Sequence, residues 1–240
     1  MLLRLQNSFA SMTTTVRQQE RIANNLANAN TVGFKHARTF TEVLNERLDV
    51  EQAPQSDRNT TQWASLEQGA LDQTGNPLDV ALGGEGFFVL SDDATGAQRF
   101  TRAGRFALDP DGMLRGPNGL AVEGAEGPVV IPPGTTQIEI AADGTIRADG
   151  QPSGQLRVVR FEDPMQLRPL DGVMFDAGGL EPEDVEHPTV LQGHVEQSNV
   201  NAIDAMTEMI EHLRLFESQQ KLLQANDQIL GHVTRDLGKF

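Results

Sequence analysis

Cysteine is absent from the 240 residues. That excludes disulfides, thiolate metal sites and cysteine nucleophiles together. Tyrosine is absent too, and only three Lys stand against 16 Arg. No Arg cluster has the form of a phosphate grip, so this bias reads as composition. Long apolar runs are also missing. Met1-Leu2-Leu3 is interrupted by Arg4, Gln6 and Asn7. A signal peptide needs an apolar stretch of roughly 7–15 residues and a membrane span about 18 or more. Neither a cleaved signal nor direct membrane insertion is expected. Positive charge is scarce as well, with 19 bases against 34 acids and a net charge of −15. That balance opposes binding to nucleic acid or anionic lipid, so no nucleic-acid partner is expected.

What is present suffices for a folded core. Apolar residues make up 38 % and 23 glycines are added to them, which is near the globular norm of about 45–50 % and excludes wholesale disorder. The charge is unevenly spread. Residues 1–38 hold five bases (Arg4, Arg17, Arg21, Lys35 and Arg38) against Glu20 alone. Residues 39–198 hold 10 bases and 27 acids, and residues 199–240 hold four and six. The acid lies almost wholly in the middle, a pattern of segments with different tasks.

Both ends have helical periods. Leu5, Phe9, Met12, Val16, Gln19, Ala23 and Leu26 alternate steps of four and three, the a/d seam of a heptad. At the other end Met206, Met209, Leu213, Phe216, Gln220, Leu223, Asp227 and Leu230 do the same. Ile203, Ile210, Leu222 and Ile229 widen that stripe. Asn201 with Asp204 three residues on predicts a helix N-cap with an acid at the positive end of the dipole. Two such helices can bury each other only if the middle of the chain folds back between them.

From about Pro77 the period changes. Leu78, Val80 and Leu82 alternate, and Gly86 opens the apolar run Phe87-Phe88-Val89-Leu90. Asp111-Gly112, Asn118-Gly119, Asp143-Gly144 and Asp149-Gly150 punctuate further short alternations. Such pairs are hairpin signals, because Gly accepts positive φ without a Cβ clash. The expected fold is α+β, with long N- and C-terminal helices paired as a coiled-coil-like bundle and a central antiparallel β-rich domain. The expected division is a helix and Asn-rich motif over 1–38, an extended linker over 39–76, a β-rich domain over 77–185, and a return segment with the second helix over 186–240. Within the linker, Phe40, Val43, Leu44 and Leu48 could instead extend a helix, while 50–65 reads as loop.

Catalytic patterns are not found. HExxH, Walker A, GxSxG and GxGxxG are all missing. Asp109-Pro110-Asp111-Gly112 has the start of a calcium loop but lacks the third oxygen position and the closing Glu, so it reads as a turn. His187 and His194 read as ordinary histidines, not metal ligands. No enzyme, cofactor or metal is expected. What stands out is the amide-rich stretch Ala23-Asn24-Asn25-Leu26-Ala27-Asn28-Ala29-Asn30-Thr31-Val32-Gly33-Phe34-Lys35. Gly33 can end a helix, but Asn24, Asn25 and Asn28 sit inside the heptads, where Asn is a poor helix former. Inward amides suit a packed bundle whose register is set by polar contacts.

The same stretch, Ala-Asn-Asn-Leu-Ala-Asn and then Thr-x-Gly-Phe-Lys, resembles the N-terminal signature of the bacterial flagellar basal-body rod and hook proteins. Further matches follow in the family's order. They are Pro77-Leu78-Asp79-Val80-Ala81-Leu82 with Gly86-Phe87-Phe88, then Phe100-Thr101-Arg102-Ala103-Gly104-Arg105-Phe106 with Asp111-Gly112. Asp143-Gly144-Thr145-Ile146 and Ser198-Asn199-Val200-Asn201 complete the series. Within the family, Arg214-Leu215-Phe216-Glu217 is nearer the proximal-rod type than the distal-rod type.

The resemblance implies a structural subunit of the periplasmic rod of the flagellar basal body, a drive shaft that transmits torque. It implies as partners copies of the same chain, other proximal and distal rod proteins and, during secretion, the flagellar type III export apparatus. It implies export without a cleaved signal. Assembly packing is then expected from Leu5, Phe9, Met12, Val16, Leu26, Met209, Leu213, Phe216, Leu223 and Leu230. Register and polar contacts are expected from Asn24, Asn25, Asn28, Gly33, Phe34, Asn199 and Asn201. Rival readings are a distal rod protein and a cell-wall binding module displayed on a coiled-coil stalk.

Overall fold

Two amphipathic ends and a turn-rich middle produce two compact units in the computed structural model, which describes residues 2–39, 62–170 and 172–237. One unit is formed by the chain up to Ala27 and from Asn201 onward, the other by Asn28–Val200. Phe40, Val43, Leu44, Leu48 and the stretch 50–61 lie outside the described residues.

The first unit contains α1 (Leu2–Ala27) and α2 (Ala202–Leu237). At 1.5 Å per residue they are about 39 and 54 Å long. Asn201 caps α2, its Oδ1 accepting from Ile203 N–H at 3.0 Å, and Asp204 lies in the first turn. This occupies one of the four orphan donors of a helix start. The helices run antiparallel, since Ser11 and Thr15 meet Gln219 whereas Arg21 meets Glu208. These contacts are polar. Gln219 Nε2 donates to Ser11 Oγ at 3.2 Å, and Arg21 lies 3.3 Å from Glu208. The heptad position Val16 is 37 % exposed, while its neighbour Thr15 is buried. The face of α1 that meets α2 is thus displaced from the apolar seam that the spacing marks. Hydroxyl and amide groups form part of it, with the fully buried Ile22 on the same side of α1, and hydropathy does not register those polar groups.

The second unit is β-rich, and every strand pair among the described residues is antiparallel. Its largest sheet is centred on β5 (Phe87–Ser91). One neighbour of β5 is β6 (Gln98–Thr101), in register Phe88 to Thr101 and Leu90 to Arg99. The other side is shared by β9 (Ala121–Gly124) and β14 (Val158–Arg160). Because side chains alternate along a strand, the run Phe87-Phe88-Val89-Leu90 feeds two cores. Phe88 and Leu90 join Val80, Phe106, Leu114, Val122, Ile146 and Leu156. Phe87 and Val89 join Phe100, Val159, Phe161, Leu167 and Phe175. Ring pairs are edge-on in both, with Phe88 and Phe106 5.2 Å apart and Phe100 and Phe161 4.9 Å apart. A strand buried on both faces reads as a continuous apolar run, as this one does.

The unit extends beyond the expected 77–185. β3 (Leu71–Gln73) pairs with β19 (His194–Glu196), and β4 (Val80–Leu82) pairs with β18 (Val190–Gln192). The expected linker and return segment are therefore partly paired strand. β3 is exposed at all three residues, so no apolar alternation announced it.

Turn carboxylates fasten the hairpins. Asp109 accepts from Met113 N–H at 2.8 Å and Asp111 N–H at 3.0 Å, and Arg115 Nε reaches it at 3.0 Å. These bonds, the Met113 N–H foremost, hold its carboxyl below the usual Asp range. Asp149 is lowered by Thr136 and the Gln137 N–H, and Asp143 by the Thr145 N–H. Such groups stabilise the fold fully above the ordinary Asp value of about 4, and the contribution is lost as pH falls through their lowered folded values.

Two outcomes follow for stability. Phe88→Ala should lower the unfolding free energy by about 3–5 kcal/mol in urea titration, the usual cost of a large core cavity. The thermal midpoint should fall as pH drops from about 4 towards 2, and Asp109→Asn should flatten that fall.

Candidate functional site

The motifs that are scattered along the sequence converge at one junction of the β-rich unit. The segment leaving α1, residues 31–36, meets the segment approaching α2, residues 194–199. Both meet residues 65–69 and 102–104. Gly33 N–H donates to Glu196 O at 2.7 Å, and His36 N–H donates to Asn199 Oδ1 at 2.7 Å. Asn199 Nδ2 in turn donates to Ser65 O at 2.8 Å and Glu67 O at 3.0 Å. One amide therefore joins three chain segments, which uses both its donor and acceptor capacity.

Two glycines permit this closeness. Gly33 has φ +71°, and a Cβ there would lie 2.3 Å from Ala103 N. A Cβ at Gly69 would lie 2.0 Å from Gln197 O. Neither space admits a side chain. The helix α1 itself ends at Ala27, so Gly33 serves this close approach rather than the helix terminus. Around the backbone contacts, Val32, Phe34, Ala103, Val173 and Val195 form an apolar cluster with Val200 packed against it.

Inside the junction lies Glu196, fully buried. Its carboxylate accepts from Lys35 Nζ, from Gly69 N–H at 3.0 Å and from Arg102 at 3.3 Å. Lys35 also donates to Glu67 O at 2.6 Å, and Arg102 to Gly84 O at 2.8 Å. The Arg102 guanidinium stands 5.3 Å from the Phe87 ring centroid, within cation–π range. Burial pushes the Lys35 ammonium below the ordinary lysine range, against the opposing pull of Glu196. Burial also lowers Arg102, again against Glu196. Two cations thus share one carboxylate. A carboxylate held by three donors and 0 % exposed ties together the stretches of chain that carry those donors. The geometry joins the two chain ends of the β-rich unit to its interior.

Of the residues singled out by sequence, Gly33, Phe34 and Asn199 lie in this junction, and Asn201 caps α2. Asn25 is buried, Asn24 exposed, and Asn28 Oδ1 accepts from the Thr31 hydroxyl at 3.1 Å. Met12, Leu26, Met209, Phe216 and Leu223 are half-buried in the helical unit, while Val16 and Leu213 are exposed. The side chains of Leu5, Phe9 and Leu230 lie outside those described. Glu196 was not foreseen. It is one acid among 34, and only its place next to Gln197-Ser198-Asn199 could have marked it.

Three family models match this chain. Flagella basal body rod protein covers residues 5–35, the flagellar hook protein FlgE/F/G D1 domain covers 81–148, and the flagellar basal body rod FlgEFG protein C-terminal covers 191–235. The flagellar basal-body rod protein FlgF of Escherichia coli (strain K12) is 35 % identical over 236 residues, with 92 % of each chain covered. The chain belongs to the flagellar basal-body rod protein family. It is a structural subunit of the flagellar basal-body rod. FlgF of Caulobacter vibrioides is 30 % identical, covering 95 % of this chain and 94 % of that one. FlgG of Agrobacterium fabrum is 31 % identical, covering 91 % and 93 %. Each family stretch supplies one charge of the junction: Lys35 ends the first, Arg102 lies in the second and Glu196 in the third.

Asn199→Ala should lower the stability of this rod protein by about 1–3 kcal/mol, because it removes the acceptor of His36 N–H and the donor to Ser65 O. Asn199→Asp, which keeps the acceptor for His36 N–H but turns a carboxylate oxygen towards Ser65 O and Glu67 O, should also lower the urea midpoint.

Proposed function

We propose that this chain is a proximal-rod subunit that polymerises through its terminal helices, paired as a coiled-coil-like bundle, into the torque-transmitting shaft. Its partners are copies of itself and the other rod proteins. One observation carries the reading. Ile203, Met206, Ile210 and Leu213 follow one another along α2 at steps of three, four and three, and they are 74, 51, 52 and 40 % exposed. Leu222, 63 % exposed, is a further apolar group on another side of the helix. These groups stand exposed in the single chain, so they are available to helices of neighbouring subunits. A continuous exposed apolar stripe marks an interaction face.

The proximal position is favoured by the Arg214-Leu215-Phe216-Glu217 stretch and by the FlgF relatives at 35, 34 and 30 % identity. In this reading the chain is not an enzyme. It passes through the type III export apparatus without signal cleavage, and a chain free of cysteine forms no disulfide on the way.

Each apolar side chain buried at a subunit contact contributes about 1.5–3 kcal/mol before ordering entropy. Ile210→Asp and Met206→Asp should therefore abolish or sharply reduce rod assembly and swimming in a strain lacking the native copy, while circular dichroism shows the β-rich unit unchanged. Full-length rods in electron micrographs of both variants would overturn the assignment of this face.

A further inference from the structure

The junction holds an imbalance of charge that sets an order of opening. Lys35 and Arg102 are both buried, and Glu196 is the one carboxylate among the described residues that hydrogen-bonds them. Their other partners are neutral. Lys35 has Glu67 O; Arg102 has Gly84 O and the Phe87 ring. The carboxylates of Glu67 and Glu85, which also act on these cations through space, belong to exposed residues and are screened by water.

Suppose the segment leaving α1 withdraws. Lys35 is then rehydrated, and Glu196 keeps Arg102 and Gly69 N–H, a balanced pair. Suppose instead that the segment approaching α2 withdraws. Glu196 leaves with it, and two buried cations remain facing each other without an anion. Removing one partner from a buried ion cluster is strongly unfavourable, and Lys35 is the cation whose segment can leave.

We propose that Glu196 is an ordered latch on the two chain ends. The α1-side segment can unseat alone, but the α2-side segment cannot unseat without releasing it. The junction then has three states: closed, open on the α1 side, and open on both. Linkage makes the coupling mutual; the order comes from which half-open state is charge-balanced. The latch is a property of the single chain, so its failure would leave the rod assignment standing.

The sequence provides its own reporter. Lys35 is the one lysine between residues 28 and 200, and Lys221 on exposed α2 is an internal standard. The experiment is acylation of full-length protein with an amine-reactive ester, read by peptide mass spectrometry, alongside amide hydrogen exchange. In the native chain Lys35 should react at least about tenfold more slowly than Lys221. In Glu196→Gln it should approach the Lys221 rate, and residues 33–36 and 67–69 should lose protection together. In Lys35→Met, residues 33–36 should loosen while 67–69 and 194–197 stay within about threefold of native exchange. Glu196→Asp, which keeps the charge on a shorter arm, should give intermediate Lys35 reactivity and is read in place of Glu196→Gln if that variant loses protection across 80–130. Native-like protection of Lys35 in Glu196→Gln or, where that variant unfolds, in Glu196→Asp would overturn the latch. So would equal loosening of 194–197 in Lys35→Met and in the Glu196 variant.

Discussion

A single buried carboxylate organises this molecule. Burying an ion is costly unless donors replace its water, and Glu196 finds them on three separate stretches of chain. The requirement works in both directions. Glu196 needs Lys35, Gly69 and Arg102 in place, and Lys35 and Arg102 need Glu196. Backbone contacts so close that they tolerate only glycine fix the spacing at which those donors arrive. The surrounding apolar cluster keeps water from substituting for them.

The rest of the β-rich unit is built to present those donors rigidly. Arg102 follows directly on β6, which pairs with β5, the strand that is buried on both faces. Phe87, on one of those faces, also lies beneath the Arg102 guanidinium. Core packing and the charged cluster thus share a side chain. A core of interlocking phenylalanines resists displacement because its rings are close-packed, and that resistance is passed on to the cation.

Much of this was legible in the amino-acid sequence. The helical periods at both ends, the Asn201 cap and the Asp-Gly and Asn-Gly turns are local patterns, and the structure has helices, cap and turns at those places. Phe87–Leu90 was legible as strand because burial on both faces leaves an unbroken apolar run. The motifs Thr-x-Gly-Phe-Lys, Arg102-Ala103-Gly104 and Ser198-Asn199 were visible as motifs, but not as neighbours. Their meeting depends on pairings between residues more than a hundred positions apart, such as β3 with β19, and β3 is exposed and polar. The face that joins the two helices was hidden for a related reason. It includes Ser11, Thr15 and Gln219 as well as the buried Ile22, and a hydropathy period cannot register the hydroxyl and amide part of a seam.

That seam has a thermal consequence. Apolar association weakens on cooling, because its driving force near room temperature is the entropy of water. Hydrogen bonds and an ion pair such as Arg21–Glu208 lack that dependence. The polar part of the contact between α1 and α2 therefore keeps its strength in the cold, while buried apolar groups of the same unit such as Ile22 hold less firmly.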